Sequence, residues 1–253
     1  MTTKVKNTKN NKPFELVNIY EQDLIKPFLL KFHNPNYETH YIELPFRMLI
    51  IGSSGSGKTM TLYNILRAFD KTFQNITICT KNKKEPIYEF IEDKFTKHNE
   101  NPKKIKQHLE ILEGINNLPN LDTFNKDEQS LIVLDDLVLD KQNKIEEYFI
   151  RCRKLNVSVI YISQSYFAVP KMIRNNLSYL IIKQVSSQKN LKLISNEYSL
   201  GLDTKQLKNI YNFCTDEKHN FMLIDIDHKD IRFRKNFNFV IDIDNIQKEN
   251  EKK

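Results

Sequence analysis

The stretch FRMLIIGSSGSGKTMT, residues 46–61, decides how this chain is read. The 253 residues contain only five glycines, and three of them, Gly52, Gly55 and Gly57, fall inside this stretch. Before them runs an apolar segment bounded by Pro45 and Gly52, which suits a buried strand. After them, Leu62, Ile65, Leu66 and Phe69 share one face of a helix opening at Lys58. Glycines between a strand and a helix let the backbone enter conformations closed to residues with a Cβ. Gly52–Thr59 fits GxxxxGK[ST] in full. In that geometry successive amides turn inward around an anion, and the helix start adds partial positive charge. The expected cradle is Gly52, Ser53, Ser54, Gly55, Ser56, Gly57, Lys58, Thr59 and Met60, with ATP as its ligand. Lys58 would reach the β- and γ-phosphates, and the Thr59 hydroxyl would ligate Mg2+.

A second apolar run, SLIVLDD at 130–136, ends in two acids. Carboxylates at the end of a core strand are costly unless something pairs with them. Beside a phosphate loop the partner is a metal and its waters, so Asp135 is assigned to Mg2+ and Asp136 to orienting or deprotonating the attacking water.

Further strands are expected at 75–79, 108–112, 157–163 and 178–183, and a terminal strand pair within 220–237. Helical patterns fall at 87–95, 145–155, 187–196 and 204–213. Strands alternating with helices predict an α/β fold of the P-loop NTPase, RecA/ASCE-like type: three layers, α/β/α, around a mostly parallel sheet. The expected organisation is a flexible basic arm at 1–13, an N-terminal extension at 14–45 packing on the core with a strand at His40–Leu44, an ATPase domain at 46–235 and a polar tail at 236–253.

Composition narrows the classes. Cys79, Cys152 and Cys214 lie far apart and offer no metal-ligand spacing, so zinc and a disulfide framework are not expected. The first residues have no apolar run and no segment reaches the length of a membrane span, so neither a secretory signal nor membrane insertion is expected. The net charge of +7 is compatible with a nucleic-acid partner and equally with solvated lysine surfaces. The sequence lacks NKxD and DxxG motifs and an arginine-rich lid, which argues against a GTPase or a small-molecule kinase.

The segment YFIRCRKLNVSVIYISQSYFAVPKMIRNNLSYLIIKQVSSQKN, residues 148–190, resembles the FtsK–HerA superfamily of DNA-pumping ATPases. Three features carry the likeness: Arg153 shortly before a strand, Ser163-Gln164 at that strand's end, and Ile173-Arg174-Asn175-Asn176 followed by an apolar strand and Val185-Ser186-Ser187. The chain is similar to the genome-packaging ATPases of poxvirus-type large DNA viruses and virophages over residues 46–190. The resemblance implies that Gln164 is a polar sensor for the γ-phosphate or the attacking water. It implies that Arg153 is a finger reaching a neighbouring subunit's nucleotide, with Arg151 and Arg174 as rivals for that role. It also implies a homo-oligomeric ring, sequence-independent contact with double-stranded DNA, capsid proteins as further partners, and action in the host cytoplasm or virus factory. Lys81, Lys83, Lys84, Lys103, Lys104 and Lys106 are candidates for phosphate contact. Many cellular members carry Glu where this chain has Asp136, a side chain one methylene shorter. A helicase or conjugation-type motor and a nucleotide-gated assembly switch remain as alternatives.

Overall fold

The structure, a computed structural model, describes residues 16–102, 106–185, 187–198, 201–228 and 230–242. The basic arm, Lys103, Lys104, Ser186 and residues 243–253 lie outside the described residues. The chain divides into two units, one up to Lys31 and one from Phe32 onward. The described part of the first is a pair of short 3-10 turns, Ile19–Glu21 and Asp23–Phe28. The second unit holds the sheet, and it includes residues 32–45.

The strands are β1 (Arg47–Ile51), β2 (Asn75–Thr80), β3 (His108–Glu113), β4 (Ser130–Asp135), β5 (Val157–Ser163), β6 (Tyr179–Ile182), β7 (Met222–Asp225), β8 (Phe233–Lys235) and β9 (Phe239–Val240). The helices are α1 (Tyr37–His40), α2 (Lys58–Ala68), α3 (Pro86–Glu100), α4 (Asn143–Arg151), α5 (Lys171–Arg174), α6 (Gln188–Glu197) and α7 (Thr204–Cys214). All nine strands join one sheet in the order β3-β2-β4-β5-β1-β6-β7-β8-β9. Pairings from β3 to β6 are parallel, and β7, β8 and β9 add an antiparallel meander at one side. The meander carries the sheet past residue 235: β9 pairs with β8, and Ile241 is buried.

The central strands are apolar on both faces because helices cover both, and alternate side chains feed two separate cores. In β1, Met48 and Ile50 pack towards α2 and α3, while Leu49 and Ile51 pack towards α4 and α7. The same alternation sends Leu131 and Val133 of β4 to the α2–α3 side and Ile132 and Leu134 to the other. One strand, β5, stands between β1 and β4. Because these strands are parallel, the phosphate loop after β1, the acids ending β4 and Gln164 after β5 all emerge at one edge.

The expected strand at His40–Leu44 is not formed. A single helical turn ends at His40, and Tyr41 adopts a left-handed conformation (φ 50) that an extended run does not admit. The backbone there is satisfied by a side chain instead of a neighbouring strand: Arg234 donates to the carbonyls of His40 (2.7 Å) and Tyr41 (2.9 Å).

Candidate active site

The three glycines of the loop are required for two different reasons. Gly55 (φ 72) and Gly57 (φ 84) are left-handed, where a Cβ is strained. Gly52 is required by space: a Cβ there would lie 2.5 Å from Ser56 Oγ and 2.8 Å from Lys183 Cβ. The loop is tied down at its start by the Gly52 amide donating to the Ser163 carbonyl (3.3 Å) and the Ser53 amide donating to the Gln184 carbonyl (2.9 Å). Gly57 caps α2, so the first amides of that helix have no partner within it and face the loop's mouth. Lys58 is half-buried, and its Nζ donates to the carbonyls of Gly52 (2.9 Å) and Ser53 (3.1 Å). Burial lowers its pKa, an effect that the charges of Asp135 and Asp136 oppose.

Around this loop lies a cleft of ≈ 360 Å³. Ser54, Gly55, Gly57, Lys58, Thr59 and Met60 line one side, and Asp135, Asp136, Ser163 and Gln164 line the other. Strand parity explains the convergence: Asp135 follows Leu131 and Val133 onto the α2–α3 side, and Gln164 follows Ile160 and Ile162. Asp135 is buried at the strand end, and Tyr88 of α3 donates a hydrogen bond to its Oδ2. Burial pushes the Asp135 carboxyl up to about 6, against the opposing pull of the Tyr88 hydrogen bond. Asp136 is exposed and sits at φ 56, a left-handed conformation that turns the backbone after Asp135. Gln164 is exposed at the cleft's rim.

The structure does not bring the arginines to this cleft. Arg153 is exposed in a 3-10 turn, Cys152–Leu155, that enters β5 at the end opposite Gln164. At ~3.3 Å per residue, β5 separates them by roughly 20 Å. Arg151 pairs with Glu147 and, at 2.6 Å, with Asp122. Arg174 is largely buried, paired with Glu197 at 2.8 Å and stacked over Tyr166. Lys81 lines the cleft, and Lys83, Lys84 and Lys106 are exposed.

The structure adds residues that the sequence reading passed over. Thr80, Lys81 and Glu85 at the β2–α3 turn complete the cleft wall. Tyr88 reads as an ordinary core aromatic on an amphipathic helix; only its place one turn into a helix starting at the carboxyl edge of the sheet signals otherwise. A separate cleft of ≈ 280 Å³ between α2 and α3, lined by Tyr63, Arg67 and Lys94 among others, gathers none of the expected residues.

A parallel sheet with a phosphate loop after one strand, paired acids two strands away and a polar residue on the strand between defines the P-loop NTPase fold, in its RecA/ASCE-like form. The chain belongs to the Poxvirus A32 protein family, whose model matches residues 35–252. Among curated relatives, the DNA packaging protein OPG160 of Variola virus is 29% identical over 154 residues, covering 57% of this chain and 55% of that protein. Its Vaccinia virus (strain Copenhagen) counterpart is 28% identical over the same length, with the same coverage. The chain thus spans about half the length of the curated relatives it matches. Among solved structures, the genome packaging NTPase B204 of Sulfolobus turreted icosahedral virus 2, in complex with AMP, shares the fold with a TM-score of 0.53 at 14% identity, over 77% of this chain and 98% of that one.

Proposed function

We propose that this protein is an Mg-dependent ATPase that drives double-stranded DNA into a viral capsid. The observation that carries this reading is the convergence of the phosphate loop, Asp135, Asp136 and Gln164 on one cleft, in a member of a family whose named relatives package DNA. The loop amides and Lys58 would bind the triphosphate, with Lys58 leaving the Gly52 and Ser53 carbonyls to do so. The residues present fit Mg2+: the Thr59 hydroxyl and the Asp135 carboxylate are hard oxygen donors on one cleft. Among the described residues no group of three or more His, Cys, Asp or Glu side chains is placed to hold a metal ion by itself, so the phosphates and water would complete the ion's shell. Bound there, Mg2+ would neutralise charge on the phosphates.

Asp136 would hold the attacking water and take its proton as the water oxygen bonds to the γ-phosphorus and the bond to the ADP oxygen breaks. Gln164 would orient that water or the γ-phosphate. Arg153, on the opposite edge, can serve only a nucleotide presented by a neighbouring subunit. It is therefore compatible with a ring and with hydrolysis that depends on assembly. Exposed Lys83 and Lys84 beside the cleft would contact DNA phosphates without regard to sequence. Capsid proteins would be the further partners and the host cytoplasm or virus factory the setting. No helix among the described residues is long and apolar enough to cross a membrane.

The test is the ATPase rate with and without duplex DNA, for the parent and Lys58→Ala. Stimulation in the parent and loss in the variant support the reading. Hydrolysis indifferent to duplex at low salt removes the motor, and hydrolysis surviving in the variant removes the site.

A further inference from the structure

Lys183 follows β6, and strand parity places it with Tyr179 and Ile181 on the side that faces α2. It is completely buried, one of the largest side chains in the molecule to be so. A buried ammonium is costly unless it is paired. Its partners here are neutral: Nζ donates to Thr61 Oγ1 of α2 (3.2 Å) and to the His219 carbonyl (2.9 Å), and it lies 5.7 Å from the centre of the Phe221 ring. Among the described residues no carboxylate forms an ion pair with it.

The phosphate loop is wrapped over this side chain. Gly52 approaches so closely that a Cβ would lie 2.8 Å from Lys183 Cβ, and a Cβ on Gly57 would lie 3.8 Å from Lys183 Cε. Ser56 Oγ, on the same side of the loop, is buried and has no hydrogen-bond partner. A cation without a counter-charge is thus fixed beneath a loop whose amides are arranged for an anion.

We infer that Lys183 is a second cation of the phosphate site, a buried residue that selects for the charge of a polyphosphate from beneath the loop. The inference rests on the nucleotide reading above. Lys58 is half-buried on the cleft and held only by the Gly52 and Ser53 carbonyls. Lys183 is immobilised between α2 and the turn carrying His219, so its field is present before the ligand arrives. Low local dielectric strengthens that field relative to a surface lysine. The contribution therefore grows with the number of phosphates on the ligand and vanishes for an uncharged nucleoside.

The test measures dissociation constants of ATP, ADP and adenosine, without metal, for the parent, Lys183→Met and Lys183→Arg, with thermal melts alongside. The expected result is about tenfold weaker ATP binding in Lys183→Met, a smaller loss for ADP, none for adenosine, and recovery in Lys183→Arg. If the Met variant melts below the assay temperature, Lys183→Gln carries the same comparison. Equal loss for all three ligands would reduce Lys183 to a packing role, and unchanged ATP affinity in a folded variant would overturn the inference while leaving the nucleotide reading intact. A parent that binds none of the three would overturn the nucleotide reading itself.

Discussion

The two edges of the parallel strands handle buried charge in opposite ways. At the amino-terminal edge of β6, Asp225 and Arg234 are both completely buried and 3.3 Å apart. Arg234 also donates to three backbone carbonyls, those of His40, Tyr41 and Phe237, and so staples the segment before β1 to the meander. His228 closes the group by meeting Asp225 at 3.2 Å. At the carboxyl edge the charges avoid one another. Lys58 rests on loop carbonyls, Lys183 on Thr61 and His219, and Asp135 on Tyr88. Among the described residues no ion pair joins those lysines to those acids. The first edge is a closed network that fixes the fold. In the second, opposite charges stand apart, and under the proposed function a polyanion and a cation would be inserted between them.

Breaking either edge should therefore give different losses. The largest expected effect is on activity: Lys58→Ala should lower the ATPase rate by about 10³-fold or more with a melting temperature close to the parent's, because the lysine's present partners are only loop carbonyls. Arg234→Met should do the reverse. Leaving Asp225 buried without its guanidinium, with only His228 and two backbone amides beside it, should cost about 3 kcal/mol in urea unfolding, with ATP affinity retained by whatever protein remains folded.

Asp135→Asn should stabilise the metal-free protein at pH 7.5 by about 2–3 kcal/mol. The folded carboxyl titrates near 6, above its usual 3.8, so at neutral pH the folded state carries a charge that burial penalises. The smallest effect sharpens the contrast through pH. His40 is buried and held down to about 4, by desolvation first and by Arg234 second. The unfolded chain takes up that proton near 6.5 and the folded one only near 4, so stability falls as pH drops through this window. Asp135 works in the opposite sense between about 6 and 3.8, gaining a proton in the folded state first. The parent's loss on acidification should accordingly be shallower than that of Asp135→Asn, measured as unfolding free energy at pH 6.5 and 4.5.

Much of this was legible before the structure. The limits of β5, 157–163, follow from a β-branched and aromatic run, with only the small Ser158 and Ser163 in it, between Asn156 and Gln164. The phosphate loop and its acids were legible because the motif specifies backbone geometry, and geometry of that kind constrains sequence tightly. What escaped were contacts set by parity at strand ends. Lys183 closes the expected strand SYLIIK and was given no role there; counting alternate positions from Tyr179 places it on the side facing α2. Arg234 sits in IRFRK, where alternation suggests an exposed face, and it is the meander's neighbour at residues 40–41 that buries it. His40–Leu44 misled for a related reason, because its backbone is paired by side chains, among them those of Tyr179 and Arg234, which lie far away in sequence. The arginines were expected to serve a neighbouring subunit's nucleotide, and their placement here fits that expectation without testing it. Helical and turn positions before β5 and β6 lie at the edge remote from the loop, so within one chain Arg153 and Arg174 are on the far side.

The central claim is that the carboxyl edge is a site held open for a magnesium triphosphate. The most direct measurement is an experimental structure with a slowly hydrolysed ATP analogue and Mg2+. The expected result is density for the phosphates against the amides of Gly55–Thr59, with Lys58 Nζ withdrawn from the Gly52 and Ser53 carbonyls. Nucleotide bound elsewhere, or Lys58 still seated on those carbonyls with the loop empty at saturating ligand, would contradict it.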